Sequence, residues 1–160
     1  MERDETTAER YDRNWAELIQ ELRVAQTGVQ VLAGFLLTLP FTQRFASLGD
    51  RHRVLFLVAF SLAIVTVGLM TAPVALHRFL FGRHEKDVLV HSGDLIAKAG
   101  LTAMALTLVT VVTLIFGVVV DDTAGVVAGG VVLVFYALAW VVLPLTLLGR
   151  GTAKAGPVRR

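Results

Sequence analysis

The stretch Val54–Leu76, VLFLVAFSLAIVTVGLMTAPVAL, holds no Asp, Glu, Lys, Arg or His. As a helix rising 1.5 Å per residue it extends roughly 34 Å, enough to cross the ~30 Å hydrocarbon core of a bilayer. Three further runs share its character: Val24–Phe41, Ala99–Val120 and Thr123–Leu148 are equally free of charge and histidine. Together the four occupy more than half of the 160 residues. They predict an all-α fold, a transmembrane bundle of four antiparallel helices with an amphipathic amino-terminal cytoplasmic helix. The expected organisation is a lead-in over residues 1–23, a membrane domain over 24–148 with spans at about 24–41, 54–76, 99–120 and 123–148, and a tail over 149–160.

Composition agrees. Charged residues make up 18% of the chain, against about 25% in soluble domains. Cysteine is absent, which removes disulfides and thiolate metal sites and leaves the redox compartment unread. Orientation follows from Lys and Arg counted loop by loop. With both termini cytoplasmic, twelve basic residues lie inside and three outside, the three being Arg44, Arg51 and Arg53. The first span follows an acidic leader and has no fitting cleavage site, so it is expected to be retained rather than removed as a signal peptide. Twelve Arg against three Lys, with a single Asn, points to a GC-rich bacterial genome and hence to a plasma membrane.

Ahead of the first span, Tyr11, Trp15, Leu18, Ile19 and Leu22 recur at helical spacing among charged residues. This reads as an amphipathic helix with its aromatics at headgroup depth. Pro40, Pro73 and Pro144 fall near span ends, unlike the matched mid-span breaks of transporters with discontinuous helices.

Polar residues are few and grouped. On a helical wheel Arg23, Gln26, Thr27, Gln30, Gly34 and Thr38 share one side of the first span. Amides in hydrocarbon need partners, so this stripe is expected to face other helices or water. On the third span His91, Asp94, Lys98 and Thr102 line up, with Asp94 and Lys98 at ion-pair spacing. His77 closes the second span on the same side. The candidate cluster or ion path is therefore Arg23, Gln26, Gln30, His77, His91, Asp94, Lys98 and Thr102. It is read either as the inner mouth of a proton or cation path or as groups that snorkel and bond between helices. The second reading is favoured, because nothing titratable lies between the depth of Gln30 and the outer loops. Candidate packing faces are Gly125 with Gly129 in the fourth span and Gly68 with Ala72 in the second, since small residues four apart let helix backbones approach closely.

Enzymatic readings find no support. HExxH, GxSxG and Walker-type glycine motifs are missing, and no two of the four histidines stand four apart as metal ligands on one helix. No catalytic residue, metal or cofactor is expected. The basic residues flank spans, so nucleic acid is not an expected partner; the lipid bilayer is, with a homo-oligomer or a membrane-protein partner left open.

Glu21-Leu22-Arg23, Gln26-Thr27-Gly28 and Gln30, then Leu39-Pro40-Phe41-Thr42-Gln43-Arg44-Phe45 and Ala72-Pro73-Val74-Ala75-Leu76-His77-Arg78, form a signature over roughly residues 12–120. On it the chain resembles an uncharacterised family of small four-span bacterial membrane proteins whose members are sometimes labelled sodium:proton antiporter. The resemblance implies the fold and carries no catalytic residue. Sodium–proton exchange would call for an embedded carboxylate, which the spans lack. The function expected is that of a non-enzymatic accessory or structural membrane component acting by helix packing, the alternative being a small oligomeric proton- or sodium-linked transporter.

Overall fold

The computed structural model describes residues 7–80 and 86–147. Every element among them is helical. Helix α1 covers Thr7–Thr38, a short 3-10 turn Leu39–Phe41 follows, and α2 is the single turn Gln43–Ala46. Helices α3 (Asp50–Leu80), α4 (Lys86–Val119) and α5 (Asp122–Ala137) complete the order. Beyond α5 the chain widens into a π-helical turn, Leu138–Val142, and closes with helical residues 143–147. Four segments are long and apolar enough to cross a membrane: Ala16–Phe41, Asp50–Leu76, Ser92–Val119 and Asp122–Leu147. This is the architecture of a multi-pass membrane protein. The expected lead-in is not a separate element, because α1 runs unbroken from Thr7 into the first span. The expected tail, 149–160, lies outside the described residues, as do the side chains of Tyr11, Trp15, His77 and His91.

Local chemistry explains the corners. Pro40 enters the 3-10 turn at its start, where its missing N–H removes no helical bond. Thr42 then caps α2, its hydroxyl accepting from the Phe45 N–H at 3.3 Å. Pro73 sits inside α3, fully buried, without ending the helix. Pro144 follows the π turn directly, and a widened turn ahead of a proline relieves the clash of its ring with the preceding carbonyl.

The core is a seam of small residues. On α3, Phe56, Ala59, Ala63, Thr66, Met70 and Pro73 are buried at alternating spacings of three and four. On α4, Gly93, Ala97, Gly100, Thr107, Val111 and Leu114 are buried with the same rhythm. That rhythm is the seam of a left-handed helix pair. The α3–α4 pair is the most extensive contact in the fold. The helices pair early residues with late ones: Thr66 and Thr107 bring their hydroxyls to 3.4 Å, and a Cβ on Gly100 would lie 3.2 Å from Met70 Cγ. Helix α1 lies over both, placing Leu22 against Met70 and Ala97 and Leu36 near Phe56. Helix α5 packs on α4 and buries only Gly125 and Gly129. The helices thus form an open row with α3 and α4 at its centre, not a closed four-sided bundle. Many large apolar side chains face outward, including Phe35, Leu57, Val65, Val131 and Phe135. Lipid covers such a surface without penalty, and packing rather than water exclusion holds the helices together.

Candidate functional site

The polar residues singled out in the sequence occupy two separate faces. On α4, Lys98 Nζ donates to Asp94 Oδ2 at 2.6 Å, and the Thr102 hydroxyl donates to the Lys98 carbonyl at 2.9 Å. Asp94 and Lys98 therefore answer each other within one helix, and Thr102 is satisfied by its own backbone. Lys98 and Thr102 line a crevice of about 610 Å³ between α4 and the far part of the fourth span, which contributes Tyr136, Trp140 and Pro144. The crevice arises because α5 starts tight against α4 and then carries larger side chains. Tyr136 and Trp140 stand edge to face there, ring centroids 4.6 Å apart.

The tight start has a simple cause. A Cβ on Gly125 would come 2.6 Å from the Thr113 carbonyl oxygen and 2.9 Å from the Gly117 nitrogen. One on Gly129 would collide with the Thr113 hydroxyl, which donates to the Val109 carbonyl at 2.8 Å. This glycine pair therefore packs within the chain. Gly68 does not pack: a Cβ there would meet nothing within 4 Å, and Ala72 is half-buried.

The second face belongs to α1. Leu22, Val29 and Leu36 are buried, with Leu18, Ala25 and Leu32 partly so, which turns the other side of the helix outward. Arg23, Thr27, Gln30, Gly34 and Thr38 are all exposed, and Gln26 is half-buried. Neither glutamine has a side-chain hydrogen bond among the described residues. The amides of α1 and the Asp94–Lys98 pair are thus not assembled into one cluster. The reason is geometric: α1's apolar seam faces α3 and α4, and its polar stripe lies on roughly the opposite side.

One polar group escaped the sequence reading. At the end where α3 begins and α4 turns into α5, Arg51 Nη1 donates to Asp122 Oδ2 at 2.5 Å. His52 Nε2 stands 3.2 Å from Asp122 Oδ1, a charge contact that lacks hydrogen-bond alignment, so this buried nitrogen has no bonded partner. A Cβ on Gly117 would lie 3.0 Å from the same nitrogen, so the glycine makes room for the imidazole. Asp121 caps α5 instead, accepting from the Ala124 N–H at 2.8 Å. The acids at 121 and 122 and the Arg51-His52-Arg53 run were the visible signal, given that alternate loops share one end. The deep interior holds Thr66 and Thr107 as its buried polar side chains. No group of three His, Asp or Glu able to hold a metal occurs among the described residues.

Residues 4–144 match a family of unknown function (DUF6328), and the chain belongs to that family. No curated protein and no solved structure matches it.

Proposed function

We propose that this chain is a non-enzymatic accessory or structural component of a bacterial plasma membrane, both termini cytoplasmic, that acts by packing its helices against another membrane protein chain. The observation that carries this reading is the outward polar stripe of α1, where exposed Gln30 and half-buried Gln26 find no bonded partner within the chain. A lipid chain offers neither donor nor acceptor, so such amides are stabilised when another helix covers them. The α3–α4 interior supports the same reading, since it is filled by small side chains and one threonine pair. The Asp94 carboxylate is held by Lys98 at one end of the fourth crossing's crevice, and the uncharged runs leave no second carboxylate at mid-depth to receive an ion.

The test is reconstitution beside native isolation. Liposomes carrying the full chain, a trapped pH-sensitive dye and a sodium gradient should stay silent. Gentle solubilisation of native membranes should retain a second membrane chain. Proton movement that Asp94→Asn abolishes would overturn the reading in favour of sodium- or proton-linked transport.

A further inference from the structure

We propose that two copies of this chain associate side by side in the bilayer through the α1 face of Thr27, Gln30 and Gly34, the Gln30 amides bonding each other across a twofold axis. This rests on the reading of the protein as a packing component and names the surface and the partner.

The face is a second seam. Gln20, Arg23, Thr27, Gln30, Gly34, Leu37 and Phe41 follow one another at alternating spacings of three and four, and each is exposed. The buried series Leu22, Ala25, Val29, Leu32 and Leu36 keeps the same rhythm against α3 and α4. A helix with two such seams is built to be gripped from two sides. One side is occupied within the chain.

Depth makes the outer seam consequential. The span Ala16–Phe41 has its midpoint between residues 28 and 29, which puts Gln30 about 2 Å from the middle at 1.5 Å per residue. An amide there has no water to turn to. Glycine supplies an independent sign. Within a helix Gly is less favourable than Ala by about 1 kcal/mol, and Gly34 and Gly28 relieve no clash inside the chain, since a Cβ on either would meet nothing within 4 Å. Small residues on an exposed helix face admit a neighbouring backbone.

The chemistry selects a second copy. A primary amide carries both donor and acceptor, so it complements itself. Two copies inserted the same way are related by an axis along the membrane normal, which sets residue 30 opposite residue 30. A partner using charge would need an ion at mid-depth, the costliest position in the bilayer. Arg23 falls at the aqueous end of the seam, where its side chain can extend away from its copy toward headgroups.

The chain lacks cysteine, so single-cysteine crosslinking in liposomes is unambiguous. Gly34→Cys should form a disulfide-linked dimer, and Val127→Cys, on the exposed side of α5, should not. Donor- and acceptor-labelled protein diluted into lipid should show energy transfer that Gln30→Leu weakens by roughly tenfold in dimer affinity and Gln30→Asn largely retains. Circular dichroism of each variant confirms that the helices persist. A wild-type chain that stays monomeric at every protein-to-lipid ratio overturns the proposal, as do dimers that crosslink through Val127→Cys and ignore Gln30→Leu. Gly34→Cys trapping a different chain in native membranes overturns the second copy yet leaves the packing role standing. Proton flux from a crosslinkable dimer does the reverse.

Discussion

Gly125 and Gly129 hold α5 against α4 by having no side chain, but their surroundings differ. A Cβ on Gly125 meets backbone, the Thr113 carbonyl and the Gly117 nitrogen, whereas one on Gly129 meets chiefly the Thr113 side chain. Backbone cannot step aside, and a hydroxyl can be removed. Gly125→Ala should therefore cost about 1–3 kcal/mol, the usual range for overpacking, and Thr113→Ala should not restore it. Gly129→Ala should also destabilise, and there Thr113→Ala should recover most of the loss. Reversible unfolding in mixed micelles, read by tryptophan fluorescence, measures both cycles. Equal rescue of the two variants would show that the Thr113 side chain governs both contacts. The glycine spacing was visible in the sequence. Its partner was legible too, for residues 113 and 129, like 117 and 125, stand equally far from Asp121 at the turn, and a tight helical hairpin sets such pairs opposite each other. Gly68 shows the limit: small spacing alone does not say which side of a helix has a neighbour.

At the scale of elements, α5 is anchored at its start by two adjacent acids with different tasks. Asp121 caps the helix through the Ala124 N–H, and Asp122 reaches across to Arg51 and His52. A lost cap costs about 1 kcal/mol. An ion pair between side chains 57% and 48% exposed is screened by water and contributes about 0.2–1 kcal/mol. Asp121→Ala should accordingly lower stability more than Asp122→Ala, and only the Asp122 variant should lose the salt sensitivity of unfolding. Urea titrations at low and high ionic strength separate the two effects. The elements themselves were the most legible part of the fold, because uncharged runs of this length admit little besides helices in lipid. Faces were harder. The wheel grouped Arg23, Gln26 and Gln30 correctly on α1, but a polar stripe in hydrocarbon was assumed to point inward. The buried row at Leu22, Val29 and Leu36 is the stronger seam, and it decides which side meets α3.

Across the whole molecule the spans form a row, and each end of the row collects the ends of several helices. One end gathers the start of α3 and the α4–α5 turn, joined by Arg51 and Asp122. The α1–α2 corner lies there too, with Phe45 packed edge-on to Phe56 at 4.9 Å. That end carries Arg44, Arg51 and Arg53 as its basic residues, and the remaining twelve lie toward the other in sequence. Positive charge flanking spans is retained on the cytoplasmic side, so the Arg51–Asp122 end should face outward. The cysteine-free chain makes this directly measurable. Asn14→Cys, Ser47→Cys and Thr123→Cys each place one thiol at an exposed residue, the first on the stretch leading into span one and the others at the opposite end. In intact cells a membrane-impermeant maleimide should label Ser47→Cys and Thr123→Cys and spare Asn14→Cys until the membrane is opened. Labelling of Asn14→Cys alone would invert the molecule and place the ion-paired Asp94 and Lys98 near the outer surface. Mixed labelling of all three would mean that the basic residues do not hold one orientation, and a parallel dimer through Gln30 would then require sorting by insertion direction.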